Sequence, residues 1–180
     1  ELEKAYREAR RGKTKAPQVV ALDKRAKSEL AVLAYEIHSR TYVPRPSTAF
    51  IVNKPVKREI FAADFRDRVV HHFIFNQVNP WWNPRFIEDN YSCRKGKGTL
   101  YGIRRLDHHI RSASRNYTRP AYVLKLDIIG YFMSLDRKKL YTRAMWGLDR
   151  EFPDKGYGYQ VCKYLWKVVI FNDPLKGVLY

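Results

Sequence analysis

Apolar residues recur at helical spacing along much of the chain, and this pattern predicts a largely helical protein. The clearest stretch is 19–39, where apolar positions lie three or four residues apart and charges occupy the other positions. These apolar positions are Val19, Leu22, Ala26, Leu30, Leu33 and Ile37. The pattern also predicts helices over 1–11, 64–79, 99–114, 137–146 and 159–171.

Polar residues mark the expected helix starts. Asp64 and Asp67 favour an N-terminus because acidic side chains complement the free N–H groups there. Thr99 and Asp136 are predicted to cap the helices that follow them. In the helix over 99–114, an apolar side is expected to face inward; its members are Leu100, Ile103, Leu106 and Ile110.

Three short apolar or β-branched runs predict strands. Thr48–Val52 and Arg58–Ala62 are separated by Asn-Lys-Pro-Val, which predicts an antiparallel hairpin. Residues 122–126, Tyr-Val-Leu-Lys-Leu, predict a buried strand. Residues 80–84 and 147–158 are predicted loops, the first stiff and aromatic. Helices with a small antiparallel sheet give an α+β fold.

Charge narrows the class of partner. The 180 residues contain 35 Lys and Arg against 18 Asp and Glu, a net charge of +17. This excess favours nucleic acid as a partner over a membrane, because neither an apolar span nor a concentrated basic amphipathic helix is visible. Cys93 and Cys162 are far apart and unpatterned, which indicates a reducing, cytoplasmic location.

Two basic loops are candidates for phosphate binding. Lys54, Lys57 and Arg58 lie at the hairpin turn, where cations can hold a triphosphate or a template phosphate. A solubilising edge hairpin explains the same residues about equally well. In the second loop, Gly96 and Gly98 alternate with cations and let the backbone approach a phosphate chain closely. Its cations are Arg94, Lys95 and Lys97.

Asp127 ends the predicted strand 122–126, where a carboxylate is costly unless it is paired or bound to a cation. Gly130 is free to take an unusual backbone angle in the turn that follows. Taken alone, these residues fit a simple strand, turn and helix cap.

The order of these pieces resembles the N-terminal part of a bacterial reverse transcriptase, of the kind found in group II introns, retrons and diversity-generating retroelements. The similar segments are Pro-Val-Lys-Arg-Glu-Ile (55–60), Asp-Phe-Arg-Asp-Arg-Val-Val-His-His (64–72), Phe-Ile-Glu-Asp-Asn-Tyr-Ser-Cys-Arg-Lys-Gly-Lys-Gly-Thr (86–99) and Tyr-Val-Leu-Lys-Leu-Asp-Ile-Ile-Gly-Tyr-Phe-Met-Ser-Leu-Asp (122–136). The residues of these segments are most similar to those of reverse transcriptases from diversity-generating retroelements.

The resemblance implies a helical fingers subdomain over 1–118, with its hairpin at about 48–62, and the start of a right-hand palm over 119–180. It implies that Asp127 and the carbonyl of Ile128 bind two Mg²⁺ ions. Incoming dNTP would contact Lys54, Lys57, Arg58, Tyr131 and Phe132, with Phe132 excluding a ribose 2′-hydroxyl. RNA template or RNA–DNA hybrid would contact Arg94, Lys95, Gly96, Lys97 and Gly98.

The sequence departs from the family in lacking the Tyr-x-Asp-Asp hairpin, since no Asp-Asp pair occurs in it. It is therefore interpreted as a fragment of an RNA-directed DNA polymerase that is inactive by itself. The alternatives are a non-catalytic, maturase-like RNA-binding protein and an RNA-dependent RNA polymerase. The bulky, non-acidic residues 130–133 argue against the RNA polymerase. A purely structural module would leave Asp127 and the basic loops unexplained.

Overall fold

The computed structural model describes residues 1–55, 57–152 and 154–176. Within them, two compact units form, one from Glu1–Asn79 with the chain from Asp136 onward and the other from Pro80–Leu135. The predicted division into a fingers subdomain and a palm at residue 118 is a separate, functional division and remains a prediction. Val56 of the hairpin turn and the last four residues of the expected palm range lie outside the described residues.

Helices dominate the fold, as the apolar pattern predicts. The helices are α1 (Leu2–Arg10), α2 (Pro17–Asp23), α3 (Ala26–His38), α4 (Phe65–Trp82), α5 (Thr99–Ser114), α6 (Tyr131–Ser134), α7 (Arg137–Glu151) and α8 (Tyr157–Phe171), with a short 3₁₀ helix at Asn83–Arg85. Strands β1 (Thr48–Val52) and β2 (Arg58–Ala62) pair antiparallel, with Phe50 opposite Ile60. The α+β class and the bounds of the hairpin are confirmed.

The apolar core belongs to the first unit and joins α1, α2, α3, α4 and α8. Helical spacing explains it, because residues four apart such as Ala5 and Ala9, or Val161 and Leu165, share one face. The buried apolar residues of this core are Ala5, Ala9, Val19, Leu22, Leu33, Ile37, Tyr42, Phe65, Val69, Val70, Ile74, Val161 and Leu165.

A polar cluster fixes the extended segment before β1 onto α4. The buried Asp67 carboxylate accepts hydrogen bonds from the Tyr42 hydroxyl at 2.7 Å and from the Arg45 backbone N–H at 2.8 Å. Buried Arg66 pairs with Glu36 on α3. Burial raises the pKa of Asp67, and the Tyr42 hydrogen bond opposes that shift.

The single helix predicted over 19–39 is wrong, because the chain leaves helical geometry at Arg25. Asp23 ends α2 and bonds to the Tyr6 hydroxyl and to Arg10 Nε of α1. These contacts join residues far apart in the sequence, so apolar spacing carries no sign of them.

Two of the predicted loops are partly helical. α4 continues through Pro80 to Trp82, and the 3₁₀ helix follows, so 80–84 is not an irregular loop. α7 likewise extends to Glu151, past the predicted end at Trp146. α5 has the predicted bounds, but Gly98 takes the capping position expected of Thr99. Asp136 does cap α7, accepting from the backbone N–H groups of Lys138 and Lys139.

No apolar side chain among the described residues of the second unit is fully buried. Among its described residues, 80–135, Ser114 alone is fully buried. The expected inward side of α5 is wrong for Leu100, Ile103 and Leu106, which are all exposed. Since few apolar side chains are covered, polar contacts between loop and helix carry much of this unit's order.

The buried strand predicted at 122–126 is also wrong. Residues 120–128 have no regular secondary structure, and the side chains from 115 to 134 are exposed throughout. A strand needs a neighbour for its backbone N–H and C=O groups. Among the described residues, β1 and β2 pair only with each other.

Candidate nucleic-acid interface

The hairpin presents its cations to solvent. Lys54 lies in the turn after β1, Lys57 precedes β2, and Arg58 begins β2 opposite Val52. All three residues are exposed. The arrangement can therefore offer several positive charges to one phosphate chain, since nothing buries their side chains.

The second basic loop closes in a tight turn of four residues, Arg94 to Lys97. The Lys97 N–H donates to the Arg94 carbonyl at 3.1 Å, and Gly96 lies in the left-handed region with φ +77°. A Cβ built at Gly96 or Gly98 would meet no atom within 4 Å. The backbone at the tip is thus open to a large ligand, as the two glycines predict.

Arg94 is used inside the loop rather than at its surface. Its Nε donates to Asn83 Oδ1 at 2.9 Å, and its Nη1 donates to the carbonyls of Ile87 at 3.0 Å and Asn90 at 3.3 Å. Its Nη2 donates to the Asn83 carbonyl at 3.4 Å. One guanidinium therefore joins the 3₁₀ helix that precedes the loop to the middle and the tip of the loop, taken here as residues 86–98.

Lys97 also turns inward. Its ammonium lies 2.6 Å from both the Glu88 carboxylate and the Glu88 carbonyl, and 5.5 Å from the centre of the Tyr101 ring. Hydrogen bonds from Lys97 and then from Tyr101 lower the pKa of Glu88. The charge of Lys97 is thus largely matched by its own loop.

Asp89 joins the loop to α5. Its carboxylate accepts from Arg105 Nε at 2.7 Å and from the Tyr91 hydroxyl at 2.8 Å, and His109 Nε2 lies 2.8 Å away. The Arg105 hydrogen bond is the main reason that the pKa of Asp89 lies well below its usual range, followed by those of Tyr91 and His109. The carboxylate is therefore charged over the whole neutral range.

Tyr91 also packs against α5 through a glycine. A Cβ built at Gly102 would lie 3.1 Å from Cδ2 of the Tyr91 ring, closer than side chains normally approach. The missing side chain at Gly102 lets the ring approach the helix closely. The loop is thereby held on α5 by this packing contact, by the Asp89–Arg105 ion pair, and by the hydrogen bonds of His109 to Asp89 and of Tyr101 to Glu88.

Asp127 lies in the exposed segment 120–128. Its Oδ1 accepts from the backbone N–H of Ile128 at 3.0 Å. Gly130 then takes φ +62°, as expected for a turn glycine, and caps the short α6. The carboxylate, the left-handed turn and the helix therefore follow one another within a few residues.

Tyr131 and Phe132 lie on α6 with their ring centres 5.1 Å apart, edge to face. Phe132 is 82% exposed and Tyr131 47%. Neither ring is part of a core among the residues that the structure describes. Packing within the described residues therefore does not assign Phe132 to an apolar core.

The described residues contain no group of three or more His, Cys, Asp or Glu side chains able to hold a metal ion. Mg²⁺ takes about six oxygen ligands. The Asp127 carboxylate and the Ile128 carbonyl would supply two of them. These residues therefore do not fit a complete magnesium site by themselves.

The predicted residues divide between the two units. The hairpin cations belong to the first, and the basic loop with Asp127, Tyr131 and Phe132 belongs to the second. In the basic loop, Arg94 and Lys97 are turned inward, and the contact of this loop with nucleic acid stays a prediction. Sequence analysis missed Asn83, Asp89, Arg105 and His109, because their contacts form only in the fold; Asp89 lies in the similar segment 86–99, but nothing in the sequence marks its partners.

No model of a known protein family matches the chain, and no curated protein matches it. Among the described residues, no helix is both long enough and apolar enough to cross a membrane.

Proposed function

We propose that this chain is the fingers and opening palm of an RNA-directed DNA polymerase. The complete enzyme adds dNTP to a primer 3′-hydroxyl under the direction of an RNA template. In this proposal the chain contributes phosphate-binding cations, the first palm carboxylate and the residue that selects the sugar. The protein acts in the cytoplasm on RNA and RNA–DNA hybrid.

The exposed segment that carries Asp127 is the main support. Tyr122, Leu124 and Leu126 are 96%, 81% and 80% exposed, which is unusual for three large apolar side chains so close together. Such a segment is typical of a strand whose sheet neighbours are missing. In the proposed enzyme, these neighbours are further palm strands that lie outside the 180 residues.

The distribution of charge supports a nucleic-acid partner. The net charge is +17, and the hairpin places three of the cations on one exposed turn. Binding of nucleic acid draws much of its free energy from releasing the counterions of phosphates. In the proposed enzyme Lys54, Lys57 and Arg58 orient the triphosphate of the incoming nucleotide.

The proposed enzyme uses two Mg²⁺ ions, and Asp127 with the Ile128 carbonyl would be ligands in that site. The other carboxylates would come from outside this chain, because the described residues leave the site incomplete. Phe132 has the simpler role of filling the space beside C2′. A ring there excludes a hydroxyl by steric clash, so it favours deoxynucleotides.

Binding of a fluorescein-labelled RNA–DNA hybrid by the 180-residue chain tests the partner. Affinity is expected to fall steeply as salt rises, with a linear dependence of log K on log salt. The double variant Lys57→Met, Arg58→Met should lower the affinity of the bound hybrid complex for added dNTP, because these cations orient the triphosphate, and should change the salt slope of hybrid binding little. Lys167→Met, exposed on α8, is the matched control and should change neither quantity. Affinity that does not depend on salt would contradict the proposal.

Primer extension by the longer gene product tests the activity. With an RNA template and dNTP, Asp127→Asn should reduce incorporation by several orders of magnitude while hybrid affinity stays nearly constant. Hybrid binding without any incorporation by the wild-type protein would favour the maturase-like alternative. Incorporation of rNTP in preference to dNTP would favour an RNA polymerase.

A further inference from the structure

We propose that Arg94 is a positioning residue that shapes the basic loop, and that Lys95 is the cation of this loop that contacts a nucleic-acid phosphate. This inference rests on the proposed function for its ligand. It assigns different roles to Arg94, Lys95 and Lys97, which the sequence alone does not distinguish.

The hydrogen bonds of Arg94 leave it little capacity for a ligand. It makes four hydrogen bonds, to the side chain and carbonyl of Asn83 and to the carbonyls of Ile87 and Asn90. Only one guanidinium N–H therefore stays free. Arginine normally binds phosphate through two parallel N–H groups, and Arg94 has no such pair available.

Carbonyl partners make Arg94 hard to replace. Loop carbonyls that lose a donor must find water or another partner, at a cost in free energy. Lysine keeps the charge but cannot reproduce the planar fork that reaches Asn83, Ile87 and Asn90 at once. The shape of the loop therefore depends on the guanidinium group itself and not only on its charge.

Lys97 is unsuited to the phosphate for an electrostatic reason. Its ammonium lies between the Glu88 carboxylate and the face of Tyr101, and its side chain is only 15% exposed. A phosphate at that place would meet the negative charge of Glu88. Lys97 thus fixes the return of the loop towards α5.

Lys95 differs from both neighbours. It lies at the tip of the turn, is exposed, and has no hydrogen bond or ion pair among the described residues. Gly96 beside it leaves open space around the backbone. A phosphate can therefore reach the ammonium of Lys95 without displacing any protein group.

Attachment of the loop to α5 orders its tip before any ligand binds. Asp89 binds Arg105 on α5. Glu88, the residue before it, binds Tyr101 on α5 and Lys97 in the second half of the loop. A loop that is already ordered loses less conformational entropy when it binds. Arg94 adds to this order through its hydrogen bonds to Asn83, Ile87 and Asn90.

The experiment uses the 180-residue chain and three variants, Lys95→Met, Arg94→Lys and Arg94→Met. Amide hydrogen exchange of residues 86–98 is measured in the free protein, and binding of the labelled RNA–DNA hybrid is measured as a function of salt. Lys95→Met should exchange like the wild type and lose about one unit of salt slope. Arg94→Lys and Arg94→Met should behave alike, with exchange in the loop roughly tenfold faster.

One result would overturn the role of Arg94: Arg94→Lys exchanges and binds like the wild type, while Arg94→Met loses one unit of the salt slope of hybrid binding. Arg94 would then act through its charge. An unchanged slope in Lys95→Met would overturn the role of Lys95. If the wild-type chain binds no hybrid, the proposed function and the role of Lys95 fail together. Hydrogen exchange would still decide the positioning role of Arg94, since it needs no ligand.

Discussion

The guanidinium of Arg105 and the carboxylate of Asp89 meet at two points, Nε to Oδ1 at 2.7 Å and Nη2 to Oδ2 at 3.3 Å. The two residues are 16 positions apart, one in the loop and one on α5. In a unit whose apolar side chains are mostly exposed, this two-point pair is the main charged contact that holds the basic loop on α5.

Asp89→Asn tests that role. An amide cannot pair with the charge of Arg105, so the loop should separate from α5 more often, and hydrogen exchange over 86–98 should rise several-fold. Asp107→Asn is the matched control, because Asp107 pairs with Arg111 on the same helix and does not contact the loop. Equal exchange in the two variants would contradict the role of Asp89.

The lowered pKa of Asp89 determines how this contact responds to pH. A carboxylate whose folded-state pKa is depressed contributes stability that is present above its unfolded pKa, near 3.9. That stability is lost as pH falls through the folded-state value. The Asp89 contribution should therefore be constant around neutral pH and disappear only in strong acid, as followed by hydrogen exchange.

In the first unit, Tyr42→Phe should cost about 1.5–3 kcal/mol, because it removes a hydrogen bond to the buried carboxylate of Asp67. Tyr164→Phe is the control: its hydroxyl donates to a neutral backbone carbonyl at 3.0 Å, and its loss should cost about 0.5–1.5 kcal/mol. Urea unfolding followed by tryptophan fluorescence measures both. Equal costs would show that the Asp67 charge does not strengthen the bond.

The pH dependence of this variant follows from the raised pKa of Asp67. A carboxyl group with a raised folded-state pKa contributes stability that is present below its unfolded pKa and is lost as pH rises through the folded-state value. Tyr42→Phe removes a hydrogen bond that favours the charged form, so it raises this pKa further. The cost of the variant should therefore be larger at pH 7 than at pH 4.

Asp136 and Asp127 should respond differently to loss of charge. Asp136 accepts from two backbone N–H groups at the start of α7, so Asp136→Ala should lower the melting temperature of the chain by a few degrees. Asp127 is exposed and bonds only to the next residue's N–H among the described residues, so Asp127→Asn should leave melting nearly unchanged. The reverse order in a thermal scan would make Asp127 a structural acid.

Phe132→Val should leave the stability of the chain within about 0.5 kcal/mol of the wild type, because the ring is already exposed. Phe65→Val, at a fully buried position, is the matched control and should cost a few kcal/mol. In the complete enzyme of the proposed function, Phe132→Val should change the kcat/KM ratio of dGTP to GTP far more than kcat/KM for dGTP. An unchanged ratio would remove Phe132 from the nucleotide site.

Local signals account for the parts of the fold that the sequence predicts well. The hairpin has both strands at the predicted bounds because its turn and its apolar runs are adjacent in the chain. Asp136 caps α7 for the same reason, since a cap depends on neighbours two or three residues away. Gly130 adopts its left-handed angle within the turn that called for a glycine.

The failures depend on distant partners. Residues 122–126 have the composition of a strand, but composition cannot supply the neighbouring strand that they lack. The apolar side of α5 is correctly placed on one face, yet periodicity does not say what covers that face. In the basic loop, the sequence shows the cations Arg94, Lys95 and Lys97 but not their partners. The contacts in the fold leave Lys95 available to bind a ligand.

The exposed segment around Asp127 also affects how the protein behaves in solution. Its charges, Lys125 and Asp127, cancel, so this apolar stretch is neutral on a chain of charge +17. At low salt the copies repel one another, but the Debye length shrinks to about 3 Å at 1 M salt. Self-association through this segment should then appear, since neutral exposed apolar runs favour aggregation. Light scattering is therefore needed beside any salt titration, so that clustering of the protein is not mistaken for release of nucleic acid.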